Sequence, residues 1–427
     1  MKKRDAYLTL PAMVVPDVSE FCRRNTPFSA IQRSILFVFL VFLSANRLQA
    51  QIDIKPSMIT EDHTAEGFMV TLPDGSIRHF FRLDPGFAGH HVGQDARIVQ
   101  RTSYDQGVNW TQPVKIYEDE WDNRNVHGGL TREGRIVLFF RNFRPANKKT
   151  IATNFMYSDD YGITWSPVQQ LSNELADNPG THKMIHIPGI GYMQSFYQPF
   201  VVQLRFSNDG SNWDSTGQVW DYRKDQSKKI TEACFAYAGN GRLVGLFRDE
   251  NRLNFFQVSS ADYGKTWTEP IRTNIGGGKF FTPSPQIFYD DYTNKLVVLT
   301  NDRRGLNGDV NTMIDAQFYI YLNDPDSAIG NPMSYQRVYE VERPNRNVHH
   351  FYGYPTQTKL SKGRYLVVFT EAYLKENRRE QADFYQFFFE TKHFLTPAEQ
   401  LILAKRDRKD ARKAKFRKPF SSRKSQA

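Results

Sequence analysis

Four copies of one short motif constrain this chain more than any other feature. They read Ser103-Tyr-Asp105-Gln-Gly107-Val-Asn-Trp110, Ser158-Asp-Asp160-Tyr-Gly162-Ile-Thr-Trp165, Ser207-Asn-Asp209-Gly210-Ser-Asn-Trp213 and Ser260-Ala-Asp262-Tyr-Gly264-Lys-Thr-Trp267. The third is one residue short, and the leading serines lie 55, 49 and 53 residues apart. Self-similarity at such a period marks a repeat architecture, in which neighbouring units bury one another's apolar faces. Within each copy the aspartate can accept hydrogen bonds from backbone N–H groups just ahead of it. The glycine supplies positive φ, and the tryptophan is a large apolar plug to drop back onto the sheet. Four unrelated hairpin turns would not share that tryptophan or that spacing.

The 33 Phe and 21 Tyr among 427 residues suit many short strands and a large core. The net charge of +10 is concentrated at the ends. Residues 401–427 carry +9 and residues 1–33 carry +3, so the body, 34–400, sums to −2. The basic pI therefore says little about what the body binds, and no nucleic-acid partner is expected. Residues 35–43 (Ile-Leu-Phe-Val-Phe-Leu-Val-Phe-Leu) follow Arg33 and lead to Leu48-Gln49-Ala50, a small-residue end. This reads as a secretory signal within residues 1–50, with the mature chain beginning near Gln51 and a secreted or periplasmic location. The run is shorter than the roughly 20 residues a membrane span needs, so no span is expected after cleavage. Cys22 would leave with the leader. Cys234 alone would remain, without a partner for an intrachain disulfide.

Between the motifs lie apolar runs preceded by turn residues: Gly134-Arg-Ile-Val-Leu-Phe-Phe140, Gly241-Arg-Leu-Val-Gly-Leu-Phe247, Asn294-Lys-Leu-Val-Val-Leu299 and Gly363-Arg-Tyr-Leu-Val-Val-Phe369. Continuous runs of this length suit strands covered on both faces. The S-x-D-x-G-x-T-W pattern resembles the Asp box of sialidases and other BNR-repeat propellers. That resemblance implies an all-β, six-bladed β-propeller over residues 52–392, followed by a short basic C-terminal tail, 393–427. The units fall near 66–118, 124–173, 181–222, 231–273, 281–341 and 353–392. The last two lack the box, and segment 52–59 is expected to help close the ring.

Strand polarity then places the chemistry. If the strands of a blade run A to D from the axis outward, the box is the C–D turn. The starts of the A strands and the ends of the B strands then lie on the opposite face, where loops carry function. Paired residues occur there at a spacing of 16 or 17: Glu66 with Arg82, Arg124 with Arg141, Glu232 with Arg248, and Tyr354 with Glu371. Blade 5 adds Asp302, Arg303 and Arg304 at its B end.

These residues resemble the exo-sialidase superfamily beyond its turns. The stretch Thr231-Glu232 through Arg248 is similar to the family segment that carries a glutamate and the second arginine. Gly353-Tyr354-Pro355, with Glu371 after it, is similar to the segment with the tyrosine nucleophile and a later glutamate that orients an arginine. Arg303 and Arg304 fall where the third arginine is expected. The resemblance implies Tyr354 as nucleophile and Glu232 as its base, with Arg248, Arg303, Arg304, Arg82 and Arg124 as candidates to hold a sugar carboxylate. A carboxylate nucleophile would be repelled by that charge at short range, and sialidases are the tyrosine exception to the two-carboxylate scheme. A glutamate base can activate a tyrosine, a weak nucleophile on its own. Two departures stand out. Blade 1 opens Ala65-Glu66-Gly67-Phe68-Met69, where the family carries its first arginine. The loop Asp84 to Asp95, where the acid/base aspartate is expected, aligns poorly and offers Asp95, His91 or Asp84.

The implied activity is a retaining exo-glycosidase releasing sialic acid or a related acidic sugar, with a glycan or glycoconjugate as partner and no cofactor. Two alternatives stay open: a non-catalytic propeller that binds glycan or protein, and a propeller hydrolase or lyase for another acidic sugar. The pairs His90-His91 and His349-His350 lack the spacing of a metal-ligand set. Gly276-Gly-Gly-Lys279 lacks the Ser/Thr and helix of a phosphate loop and reads as the link between blades 4 and 5. Thr396 is a candidate helix cap, with Lys405–Lys424 beyond it expected to be an unstructured or frayed charge run.

Overall fold

The computed structural model describes residues 54–60, 64–84, 96–171, 176–213, 215–251, 254–276, 284–302, 317–342, 350–374 and 380–416. All lie in one unit, Ile54–Ala427. The expected leader falls outside the described residues. Cys234 is buried and unbridged.

After β1 (Ser57–Thr60), blade 1 consists of β2 (Thr64–Thr71), β3 (Ile77–Leu83), β4 (Arg97–Ser103) and β5 (Val114–Tyr117). Blade 2 follows as β6 (Asp122–Leu130), β7 (Ile136–Arg144), β8 (Lys149–Ser158) and β9 (Gln169–Leu171). In blade 3 the short β10 (Asn178–Pro179) and β11 (Ile185–Ile187) both pair with β12 (Gly191–Gln198), which continues to β13 (Val201–Ser207) and β14 (Ser215–Asp221). Blade 4 is β15 (Ile230–Tyr237), β16 (Leu243–Asp249), β17 (Phe256–Ser260) and β18 (Ile271–Arg272). Blade 5 is β19 (Gln286–Asp290), β20 (Lys295–Asp302), β21 (Gln317–Asn323) and β22 (Gln336–Val341). Blade 6 is β23 (His350–Ser361), β24 (Arg364–Leu374) and β25 (Glu380–Glu390), and β1 pairs antiparallel with β25 as its outer strand. The chain is a six-bladed β-propeller, and its opening strand completes the last blade.

The box turns adopt the expected chemistry. In the second, Ser158 Oγ donates to Asp160 Oδ1 at 2.7 Å, the Gly162 N–H donates to Ser158 Oγ at 2.7 Å, and the Thr164 N–H donates to Asp160 Oδ1 at 2.8 Å. The glycines take φ of 91°, 88°, 80° and 84° in turn. Each tryptophan packs on the preceding blade. Trp165 meets Phe80 edge-on at 5.6 Å, Trp213 meets Phe139 at 4.9 Å, and Trp267 meets Trp220 at 5.5 Å. Trp110 donates to Gln386 of blade 6 at 3.0 Å. In blade 5 a short helix, α1 (Pro325–Gly330), stands between the C and D strands, and its Ala328 joins the core shared with blade 4. Repeat and helix thus solve the same packing problem, filling the wedge between twisted sheets.

Register fixes the polarity of every box-bearing blade. The leading serine of each box is the cross-strand partner of the first or second residue of strand B: Ile77 with Ser103, Ile136 with Ser158, Tyr192 with Ser207 and Leu243 with Ser260. At the far end of the same strands, Arg82 pairs with Ala65, Arg141 with Arg124, and Arg248 with Thr231. Five residues separate Leu243 from Arg248, so the two ends stand roughly 17 Å apart at 3.3–3.4 Å per residue.

The tail departs from expectation. A helix, α2 (Pro397–Phe416), continues well past Lys405. Thr396 and Glu399 form a reciprocal capping box: the Thr396 N–H donates to Glu399 Oε2 at 2.8 Å and the Glu399 N–H to Thr396 Oγ1 at 3.4 Å. Leu403 is buried, Lys295 pairs with Glu399 at 2.6 Å, and Tyr292 Oη donates to Asp407 at 2.6 Å. These contacts order the helix against blade 5 despite its charge run.

Candidate active site

Four inner strands open with the same defect. In β2, β6, β15 and β23 the antiparallel register slips by one residue near the start. At each slip one non-glycine residue adopts left-handed backbone: Glu66 (φ 54°), Asn125 (φ 56°), Glu232 (φ 39°) and Tyr354 (φ 47°). The left-handed helical conformation costs an L-residue roughly 1–2 kcal/mol. A bulge re-aims the side chain beside it, and strain of this kind collects at functional sites. Three of these residues are the paired positions read from sequence.

Blades 4 and 6 supply the chemical centre. Tyr354 Oη donates to Glu232 Oε1 at 3.3 Å, and Arg248 Nη1 donates to Glu232 Oε2 at 2.8 Å. Glu250 lies 3.2 Å from Arg248 Nε and accepts from Thr231 Oγ1 at 2.7 Å. Burial alone would lower Arg248, but Glu232 and Glu250 outweigh it and hold its pKa above the usual value. Glu232 and Arg248 are buried, while Tyr354 is half-buried. A phenol on a fixed carboxylate, itself held by an arginine, can pass its proton and attack an electrophile.

Blades 1 and 2 build the neighbouring wall. The Asn125 N–H donates to Glu66 Oε2. Arg124 lies 3.9 Å from Glu66 and 3.6 Å from Asp122, and it is raised because these carboxylates outweigh its burial. Arg82 is fully buried, with Nε donating to Asp122 at 3.0 Å and Nη2 to Asp84 at 3.3 Å. Arg82 is an interior ion-pair partner beneath the wall, and Asp84 is equally buried and bound to Arg82. The pairing could not be read locally, because Asp122 lies 40 residues from Arg82.

Two residues outside the expected set complete the cluster. Arg141 donates from Nε to Asn125 Oδ1 at 2.7 Å and from Nη1 to Thr150 Oγ1 at 2.9 Å, over the Phe143 ring at 4.8 Å. Tyr197, at the end of β12, is buried; desolvation and the charges of Glu232 and Tyr354 push its hydroxyl well above the ordinary value. Arg141 carried a sequence signal, its 17-residue spacing from Arg124. Tyr197 carried none.

Glu371 sits in β24 across from Tyr352 and Asp383. Burial raises it to about 7; a Tyr385 hydroxyl pulls it back and Asp383 pushes it further up. Asp95, His91, Arg303 and Arg304 lie outside the described residues, as do His90 and His349. Among the described residues no three His, Cys, Asp or Glu side chains gather as a metal site, and no helix is long and apolar enough to cross a membrane.

Residues 87–277 match the BNR repeat-like domain family. The chain is 22% identical over 258 residues to a sialidase of Bacteroides fragilis, a match covering 56% of this chain and 43% of that protein's length. Among solved structures it is similar to a protein of unknown function from Dyadobacter fermentans, at TM-score 0.60 and 15% identity, covering 79% of this chain and 99% of that one. It is also similar to the NanB sialidase of Streptococcus pneumoniae, at TM-score 0.55 and 12% identity, covering 81% of this chain and 71% of that one. Repeat, register and these likenesses define the class: an Asp-box β-propeller. The chain has the β-propeller fold of these sialidase structures.

Proposed function

We propose that this propeller is a retaining exo-glycosidase that releases an acidic terminal sugar, sialic acid or a relative, from glycans. The observation that carries the reading is the Tyr354 hydroxyl on Glu232, with Arg248 on the other carboxylate oxygen. In the proposed reaction Tyr354 Oη bonds to the anomeric carbon as its proton passes to Glu232 and the glycosidic C–O bond breaks. The leaving oxygen takes a proton from an acid, for which Asp95 is the candidate. Water then cleaves the tyrosyl glycoside, giving a proton to the carboxylate that the acid had become while Glu232 returns its proton to the Tyr354 oxygen, and configuration is retained. Arg124, Arg248, Arg303 and Arg304 are the proposed partners of the sugar's carboxylate, which arginines grip through charge-assisted hydrogen bonds. Glu371 is proposed to support the wall behind Tyr354. Residues 1–50 are proposed to direct export, with cleavage near Gln51; N-terminal sequencing of protein from its own host tests this.

The test of activity is a panel of α-sialosides and α- and β-uronosides, with product configuration followed by NMR. Release with retention supports the reading. Release with inversion, or an unsaturated product, replaces it with another hydrolase or a lyase. A second reading, a glycan-binding propeller without turnover, is favoured by Glu66, which stands in blade 1 where the family carries an arginine. Binding of acidic glycans with no release from any substrate would decide for it.

A further inference from the structure

The arginines around Tyr354 differ in how their charge is balanced. Arg82 is held by Asp122 and Asp84. Arg124 lies between Glu66 and Asp122, and Arg248 between Glu232 and Glu250. Arg141 is the exception. Among the described residues it forms no ion pair, and its two hydrogen-bond acceptors, Asn125 Oδ1 and Thr150 Oγ1, are neutral. Its Nη2 donates to no described residue. Glu66 and Asp177 are near enough for their charges to act on it, yet burial and the neighbouring Arg124 prevail and depress its pKa. A half-buried guanidinium whose partners among the described residues are all neutral is electrostatically incomplete. It is also preorganised: two side chains fix its plane against Phe143, so little conformational freedom remains to be lost when a ligand arrives.

The position is as informative as the charge. Arg141 is the cross-strand partner of Arg124 and hydrogen-bonds Asn125, whose own N–H holds Glu66. Tyr197 feels both Arg141 on one side and the Tyr354–Glu232 pair on the other. Arg141 therefore stands beside the chemical centre, on the blade 2 side, whereas the carboxylates already on Arg248 compete with any acidic ligand there.

We propose that Arg141 receives the carboxylate of the sugar, and that this site selects its ligand through a cation on blade 2 instead of through an arginine from blade 1. The inference rests on the acidic-sugar part of the proposed function and not on turnover.

Calorimetry tests it with two matched pairs: methyl β-glucuronoside with its methyl ester, and the methyl α-glycoside of N-acetylneuraminic acid with its methyl ester. Wild-type protein is expected to prefer the acid over its ester in at least one pair, and the preferred pair identifies the sugar class. Arg141→Gln should weaken that acid about tenfold to a hundredfold, the span of a lost charge-assisted hydrogen bond, and leave the ester unchanged. Arg141→Lys should fall between, since lysine keeps the charge but not the fork. Thermal melts of the variants establish that they fold; should Arg141→Gln fail to fold, Thr150→Val removes one support of the guanidinium and should weaken the acid alone. Unchanged acid binding in Arg141→Gln overturns the proposal. So does equal weakening of acid and ester, or a wild type that prefers neither acid. Wild-type binding through Arg141 without turnover on any substrate would remove the hydrolase reading and leave this one supported.

Discussion

Tyr354 of blade 6 and Glu232 of blade 4, 122 residues apart in the chain, meet at 3.3 Å across the propeller axis. Both occupy left-handed backbone at a bulge in an inner strand. Two local distortions are therefore needed to make one hydrogen bond.

Removing the pair should separate chemistry from folding. Tyr354→Phe is expected to reduce turnover to background. Glu232→Gln should lower kcat about 10²- to 10⁴-fold, the usual worth of a positioned base. Circular dichroism should remain that of the native sheet in both. Activity surviving in Tyr354→Phe would exclude it as the nucleophile.

Glu371 should make stability depend on pH in the reverse of the common carboxylate pattern. Its folded pKa, about 7, lies above the unfolded value near 4.3. The folded state therefore holds a proton that the unfolded state has lost between those values, and stability declines as pH rises through about 7. Thermal melts from pH 5 to pH 8 should show that decline, and Glu371→Gln should flatten it. A slope identical in the variant would assign the effect elsewhere.

The box aspartates act in the opposite sense and in another range. Hydrogen bonds from Thr266, side chain first and then backbone, hold Asp262 at about 2, and Thr164 does the same for Asp160. Their contribution is present above the unfolded value near 3.9 and is lost as pH falls through about 2. Acid titration of Asp262→Asn should show a weaker loss below pH 4 than wild type. The turn lies on the face remote from Tyr354, so kcat/KM of the folded variant should not change.

Shortening the tail should affect stability in two steps. Ending the chain at Ala404 removes the exposed Arg406 and the Asp407 contact to Tyr292, which should cost less than about 1 kcal/mol. Ending it at Leu395 also removes buried Leu403 and the Lys295–Glu399 pair, with a larger fall in melting temperature. A ring that unfolds after the first cut would show that the distal helix is part of the propeller.

Most of the architecture was legible because turn chemistry and strand period are local. Ser260, Asp262, Gly264 and Trp267 announce a turn within eight residues, and the 16- or 17-residue pairs follow from hairpin length alone. The site was legible only in part. Nothing near Glu232 in sequence signals left-handed backbone, and at Asn125 the only hint is asparagine's tolerance of that conformation. Arg82 and Arg141 look alike beside their apolar strands, yet among the described residues one is ion-paired within the core and the other is not. Partners distant in the chain decide the difference. Thr396 announced its helix, but contacts from blade 5 determine how far that helix runs.

The pairing of β1 with β25 has a consequence for synthesis. The blade that carries Tyr354 is finished by residues made early, Ser57–Thr60, and residues made late, Glu380–Glu390. Glu232 and Arg248 can meet as soon as blade 4 forms, but the tyrosine cannot be seated until the far end of the ring has been translated. A ribosome-bound fragment lacking β25 should therefore hold a folded Glu232–Arg248 pair without the Tyr354 hydrogen bond. The order of translation alone would keep the two halves of this cluster apart until the ring can close.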